Sequence, residues 1–78
     1  MARDYHEDAR TLCELLDAEE LAQVAKTLRD DMVGGCTGTE ILMALRYHCR
    51  ELLGTSKGSA AARALAADLA DAIDRALE

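Results

Sequence analysis

The chain has 78 residues, of which 9 are basic and 15 acidic, and its net charge is −6. Binding a phosphate backbone depends on neutralising it with Lys and Arg, so this balance argues against nucleic acid as a direct ligand and for a protein partner with a basic surface. Half of the residues are apolar, but Phe and Trp are absent and only Tyr5 and Tyr47 are aromatic, so the core must be built from Leu, Ile, Val, Met and Ala. A core this small invites self-association.

Residues 1–78 are expected to form one helical domain. No proline occurs, and all five glycines fall between residues 34 and 58, which leaves three long uninterrupted stretches that favour helix. The expected fold is an all-α four-helix bundle with helices at roughly 3–16, 18–32, 39–53 and 59–77.

In the first helix Tyr5, Ala9, Leu12 and Leu16 make one apolar stripe, flanked by Cys13 and Leu15, with Glu7, Arg10 and Glu14 opposite. Asp17 resembles an N-cap with Glu20 at the third helical position, which would start the second helix almost at once. Helices one and two therefore either meet at an angle or merge into one bent helix. Leu21, Val24, Ala25, Leu28 and Met32 form the core stripe of the second, and Glu19, Gln23, Lys26 and Asp30 its wet face.

The third helix follows the joint Val33 to Gly38. Thr37 and Glu40 have capping-box spacing, and Gly54 supplies the stop. Ile41, Leu45, Cys49 and Leu52 form one stripe, widened by Leu42 and Leu53, while Met43 and Tyr47 lie almost opposite. Apolar residues on two sides suggest a central helix packed between partners. That would bury Met43 and Tyr47 inside the fold or between two subunits; otherwise they are an exposed contact patch beside Arg46 and Arg50, since Tyr, Met and Arg are favoured in interface cores.

The last helix begins after GTSKGS, with Ser59 as its cap and Ala62, Leu65, Leu69, Ile73 and Ala76 as its interior face. Asp68, Asp71, Asp74 and Glu78 lie on the other side, with Arg75 among them as an i, i+4 partner of Asp71 and Arg63 a turn earlier. Carboxylates near a helix C-terminus are mildly unfavourable there, so they are expected to serve as an interaction face or as a solvated side that maintains solubility.

Chemistry finds little support. Cys36, just ahead of a helix N-terminus, is the best candidate for a reactive thiol, but neither His6 nor His48 is placed beside it as a base. The loop Gly34 to Gly38 could hold an anion, yet it has neither phosphate-loop spacing nor a βαβ context. His6 with Cys13 and His48 with Cys49 could meet around zinc, although CxxC and HxxxH spacings are lacking. No catalytic or metal-binding residue and no cofactor is assigned. The second and third helices could be taken for a helix-turn-helix offering Arg46 and Arg50, but their joint is too long and the surroundings too acidic. The size, acidity and helix number resemble those of acyl carrier proteins, and TEILMAL at residues 39–45 resembles part of their central helix. The modified serine of that family would fall around Gly34, Gly35 and Cys36, so the anchor for a carrier arm is missing.

MARDYHEDAR has no apolar run, and Cys13, Cys36 and Cys49 are an odd number at unpatterned spacing, so the expectation is a cytoplasmic protein with reduced thiols and no membrane association. The function expected is that of a non-enzymatic interaction module, an inhibitor or adaptor of a basic partner such as nucleic-acid-binding machinery, as phage-type blockers are. A structural homo-oligomer and a small metal- or ligand-binding protein are the alternatives.

Overall fold

The computed structural model describes residues 4–34 and 37–78, and among these it contains four helices and no strand: α1 (Tyr5–Ala18), α2 (Ala22–Gly34), α3 (Gly38–Leu53) and α4 (Ala60–Leu77). Each helix packs chiefly on two others, α1 on α2 and α4, and α3 on α2 and α4, so the four close into a ring around one core. α3 is therefore one member of the ring and not its central element. Its stripe Leu45, Cys49 and Leu52 is buried, with Ile41, Leu42 and Leu53 packed at the margin. The opposite side faces out.

The core joins Ala9, Leu12, Cys13 and Leu16 of α1, Ala25 and Leu28 of α2, the α3 stripe, and Ala62, Ala66, Leu69, Ala70 and Ile73 of α4. Three alanines among these α4 residues let its backbone approach its neighbours closely. Ala76, expected inside, is exposed, because the buried arc of α4 turns toward Ala66, Ala70 and Ala72 instead.

Three of the helix starts have side-chain caps. Asp4 accepts from the Glu7 amide at 2.9 Å, Thr37 from Glu40 at 3.1 Å and Ser59 from Ala62 at 3.1 Å, each satisfying one first-turn donor. The Thr37 box is only half closed, since the Glu40 carboxylate makes no return bond among the described residues.

Helices one and two are separate, and the cap expected at Asp17 does not form. Asp17 lies inside α1 and pairs with Arg29 of α2 at 2.7 Å. The chain instead leaves α1 by the two bonds of a Schellman turn, Leu21 N–H to Leu16 O at 2.8 Å and Glu20 N–H to Asp17 O at 3.2 Å. This places Glu20 at φ 62°, the left-handed position that glycine normally fills. α2 then begins without a side-chain cap, its Ala25 amide bonding to Leu21 O at 3.1 Å.

The α3–α4 joint is held from α4. Arg63, a turn before the acids of α4, turns back and donates to the carbonyls of Leu53, Thr55 and Lys57 at 3.0, 2.7 and 2.8 Å, satisfying acceptors at and past the end of α3. Gly58, at φ 91°, provides the reversal before Ser59.

Candidate interaction surface

The outer side of α3 is where the chain leaves its largest apolar groups uncovered. Met43 is 49% and Tyr47 63% exposed, so the folded chain by itself does not bury the pair. A single buried arc accommodates only one of the two apolar sides of this helix, and Leu45, Cys49 and Leu52 occupy it. The Tyr47 ring is braced edge-on by His48, with centroids 5.2 Å apart and planes at 86°. Around the pair, Ala44, Arg46, Arg50 and Glu51 line an open hollow. Val33, at the end of α2, is 84% exposed.

The two surfaces read separately in the sequence meet at Asp74. Arg46 donates to its Oδ1 at 2.9 Å, and Arg50 donates to its Oδ2. Asp74 is partly buried and committed to α3, so it is not one of a row of open carboxylates. Asp71 and Glu78 are exposed, as is Asp68, and Asp71 and Arg75 do not close on each other. What the sequence suggests as an acidic face and a basic patch thus meet in one surface, apolar on α3, acidic along α4 and joined at the seam by two arginines on one carboxylate. Both guanidiniums are engaged there by the one carboxylate, Arg46 the more covered of the two.

A cleft of about 310 Å³ opens between α2 and the end of α3, lined by Gln23, Val24, Thr27, His48, Glu51, Leu52, Thr55 and Lys57. His48 is fixed at its rim by Asp31, whose Oδ2 lies 2.5 Å from Nδ1, with side chains 24% and 12% exposed. A carboxylate accepts, so Nδ1 carries a proton toward Asp31, and in the neutral ring this leaves Nε2 as the acceptor. Sequence reading missed this pair. The available signal was position: Asp31 adjoins Met32 on α2 and His48 adjoins Cys49 on α3, so both flank stripes that pack together.

The thiols provide no reactive centre among the described residues, and Cys36 lies outside them. Cys13 and Cys49 are fully buried, and Cys13 donates to Ala25 O at 3.5 Å. Burial pushes the Cys13 thiol up from its ordinary value. Burial, with the nearby charge of Asp31 and then Cys13, pushes Cys49 up to about 12. Neither is a ready thiolate. Among the described residues no three His, Cys, Asp or Glu side chains form a group that could hold a metal ion, and no helix is long and apolar enough to cross a membrane.

The chain is a small all-α four-helix bundle. Comparison with known proteins finds no matching family model, no matching curated protein and no matching solved structure.

Proposed function

We propose that the chain is a small acidic protein-interaction module, without enzymatic activity, that acts as an inhibitor or adaptor by occupying the surface of a partner protein. The observation that carries this reading is the exposed Met43 and Tyr47 pair, continuous through the Arg46–Asp74–Arg50 cluster with the carboxylates of α4. An apolar centre rimmed by charge is how protein interfaces are built, with Tyr, Met and Arg enriched at the contact. The net charge of −6 favours a partner whose facing surface is basic, of the kind found on nucleic-acid-binding machinery. Reduced, buried Cys13 and Cys49 fit a cytoplasmic setting.

The test is a photo-crosslinking residue in place of Tyr47, in the full chain expressed in its cells of origin, beside the same residue in place of exposed Arg10 on α1. Adducts specific to position 47, reduced by added salt in extracts, are the expected outcome. No adduct, or the same adducts from both positions, would remove the reading. A second reading, a structural homo-oligomer, draws on the same exposed pair and predicts thermal stability that rises with protein concentration.

A further inference from the structure

The exposed side of α3 carries a pattern that fits a copy of itself. Glu40, Met43, Tyr47 and Arg50 are all exposed and follow one another at spacings of three, four and three residues, the seam of a helix that packs on another helix. The spacing is symmetric about residue 45, and the chemistry is complementary across that point: acid, apolar, apolar, base. In an antiparallel pair of α3 helices related by a two-fold axis at that level, Met43 of each chain meets Tyr47 of the other, and Glu40 meets Arg50.

We infer that this face of α3 is a homodimer interface whose occupant is a second copy of the chain, paired antiparallel about a two-fold axis beside residue 45. The inference rests on the reading of the Met43/Tyr47 face as an interaction surface and names its occupant when the chain has no other partner bound. A two-fold interface must be self-complementary, and here the order of acid, apolar, apolar and base along α3 is. Glu40 has no hydrogen bond or ion pair for its carboxylate among the described residues. The Arg50 side chain is 53% exposed while it holds Asp74, and its remaining donors can bridge Asp74 to the Glu40 carboxylate of the other copy. The Tyr47 ring, already braced by His48, offers a fixed face to a Met thioether, a favourable sulfur–aromatic contact. The hollow beside Ala44 receives the opposing side chain. A parallel pair would set Glu40 against Glu40 and Arg50 against Arg50, so charge selects the antiparallel arrangement.

The Glu40 to Arg50 seam covers about 15 Å of helix, a contact at the small end of specific interfaces, so the dimer exchanges readily and its population depends on concentration. Sedimentation velocity over a roughly hundredfold range of concentration reads that population. E40K, at an exposed side chain outside the core, raises the dimer dissociation constant by roughly tenfold, and E40K/R50E restores most of the loss. Because R50E also faces Asp74, circular dichroism is recorded for each variant. The purified protein with benzoylphenylalanine in place of Tyr47 gives the independent measurement, since it forms adducts at Met43 of the other chain. A monomer at every concentration overturns the inference, as does a dimer indifferent to E40K or one whose adducts lie elsewhere. If the purified chain is monomeric yet position 47 still captures another protein in cells, self-pairing falls and the interaction module stands; if it captures nothing, both fall.

Discussion

Arg46 of α3 and Asp74 of α4, 28 positions apart, are joined at 2.9 Å, and Arg50 reaches the other oxygen of the same carboxylate. Asp74 and Asp71 look interchangeable on a helical wheel, but only Asp74 is pinned between helices. Asp74→Asn should lower stability by about 1–2 kcal/mol, allowing for the partial exposure of the cluster, while Asp71→Asn stays within about 0.5 kcal/mol of the parent. Urea midpoints at unchanged slope check both. Equal effects would mean that the cluster contributes nothing to the packing of α3 on α4.

The turn between α1 and α2 yields the opposite sign. Glu20 occupies the left-handed position of the Schellman turn at φ 62°. An L-residue pays roughly 1–2 kcal/mol there, part of which glycine gives back as chain entropy. Glu20→Gly is therefore expected to stabilise the protein by about 0.5–1 kcal/mol, read from thermal unfolding. A loss of stability would show that the Glu20 side chain contributes more than its backbone costs.

These two sites mark where sequence reading reached its limit. Helix number and core stripes were legible because prolines are absent, glycines cluster between residues 34 and 58, and Leu and Ala recur at helical spacing. The α1–α2 junction was misplaced because Schellman turns are recognised by glycine, and Glu20 three residues after Asp17 imitates a capping box. The apolar wheel of α3 suggested a central helix, but periodicity shows only that Met43 and Tyr47 share a side; what covers that side depends on where the other helices lie. Arg46 and Arg50 were read as a basic patch for the same reason. Both are held by Asp74 of another helix, which spacing along α3 cannot reveal.

Asp31 and His48 join α2 to α3 at 2.5 Å where both side chains are largely covered. Removing one partner leaves the other poorly solvated, so Asp31→Ala should cost about 1–3 kcal/mol. The double variant Asp31→Ala/His48→Ala should fall short of the sum of the singles by about 1 kcal/mol or more. Nitrogen NMR of neutral His48 should show the proton on Nδ1. A proton on Nε2 would mean that the ring does not donate to Asp31.

Ser59 serves two ends of the bundle at once. Its hydroxyl accepts from Ala62 to start α4 and donates to Glu19 Oε2 at 2.5 Å, while its amide donates to Glu19 Oε1 at 2.7 Å. The C-terminus of α1 is thereby tied to the N-terminus of α4. Ser59→Ala removes the cap and one of the Glu19 bonds, with an expected loss of about 1–2 kcal/mol. Ser59→Gly should cost less, because glycine is tolerated as a cap. Hydrogen exchange should locate the loss in the first turn of α4; a change spread evenly through the bundle would contradict a local capping role.

The buried thiols make stability fall at high pH. Cys49 is pushed from 9.0 up to about 12 by burial first and by Asp31 and Cys13 after it, and Cys13 moves in the same direction. Between the ordinary thiol value and 12 the unfolded chain gives up the Cys49 proton while the folded chain keeps it, so unfolding is favoured progressively as pH rises. The contribution of Cys49 is intact below the unfolded value and is lost as pH climbs toward the folded one. Urea midpoints from about pH 8 to about pH 11 should therefore decline more steeply for the parent than for Cys49→Ala, which has no thiol to ionise at that position. The same burial predicts that a thiol reagent labels Cys13 and Cys49 only at the rate at which the bundle opens. Rapid labelling of Cys49 under native conditions, or identical slopes in the two proteins, would show that the thiol is reached by solvent and that the α1–α2–α3 core is looser than its packing indicates.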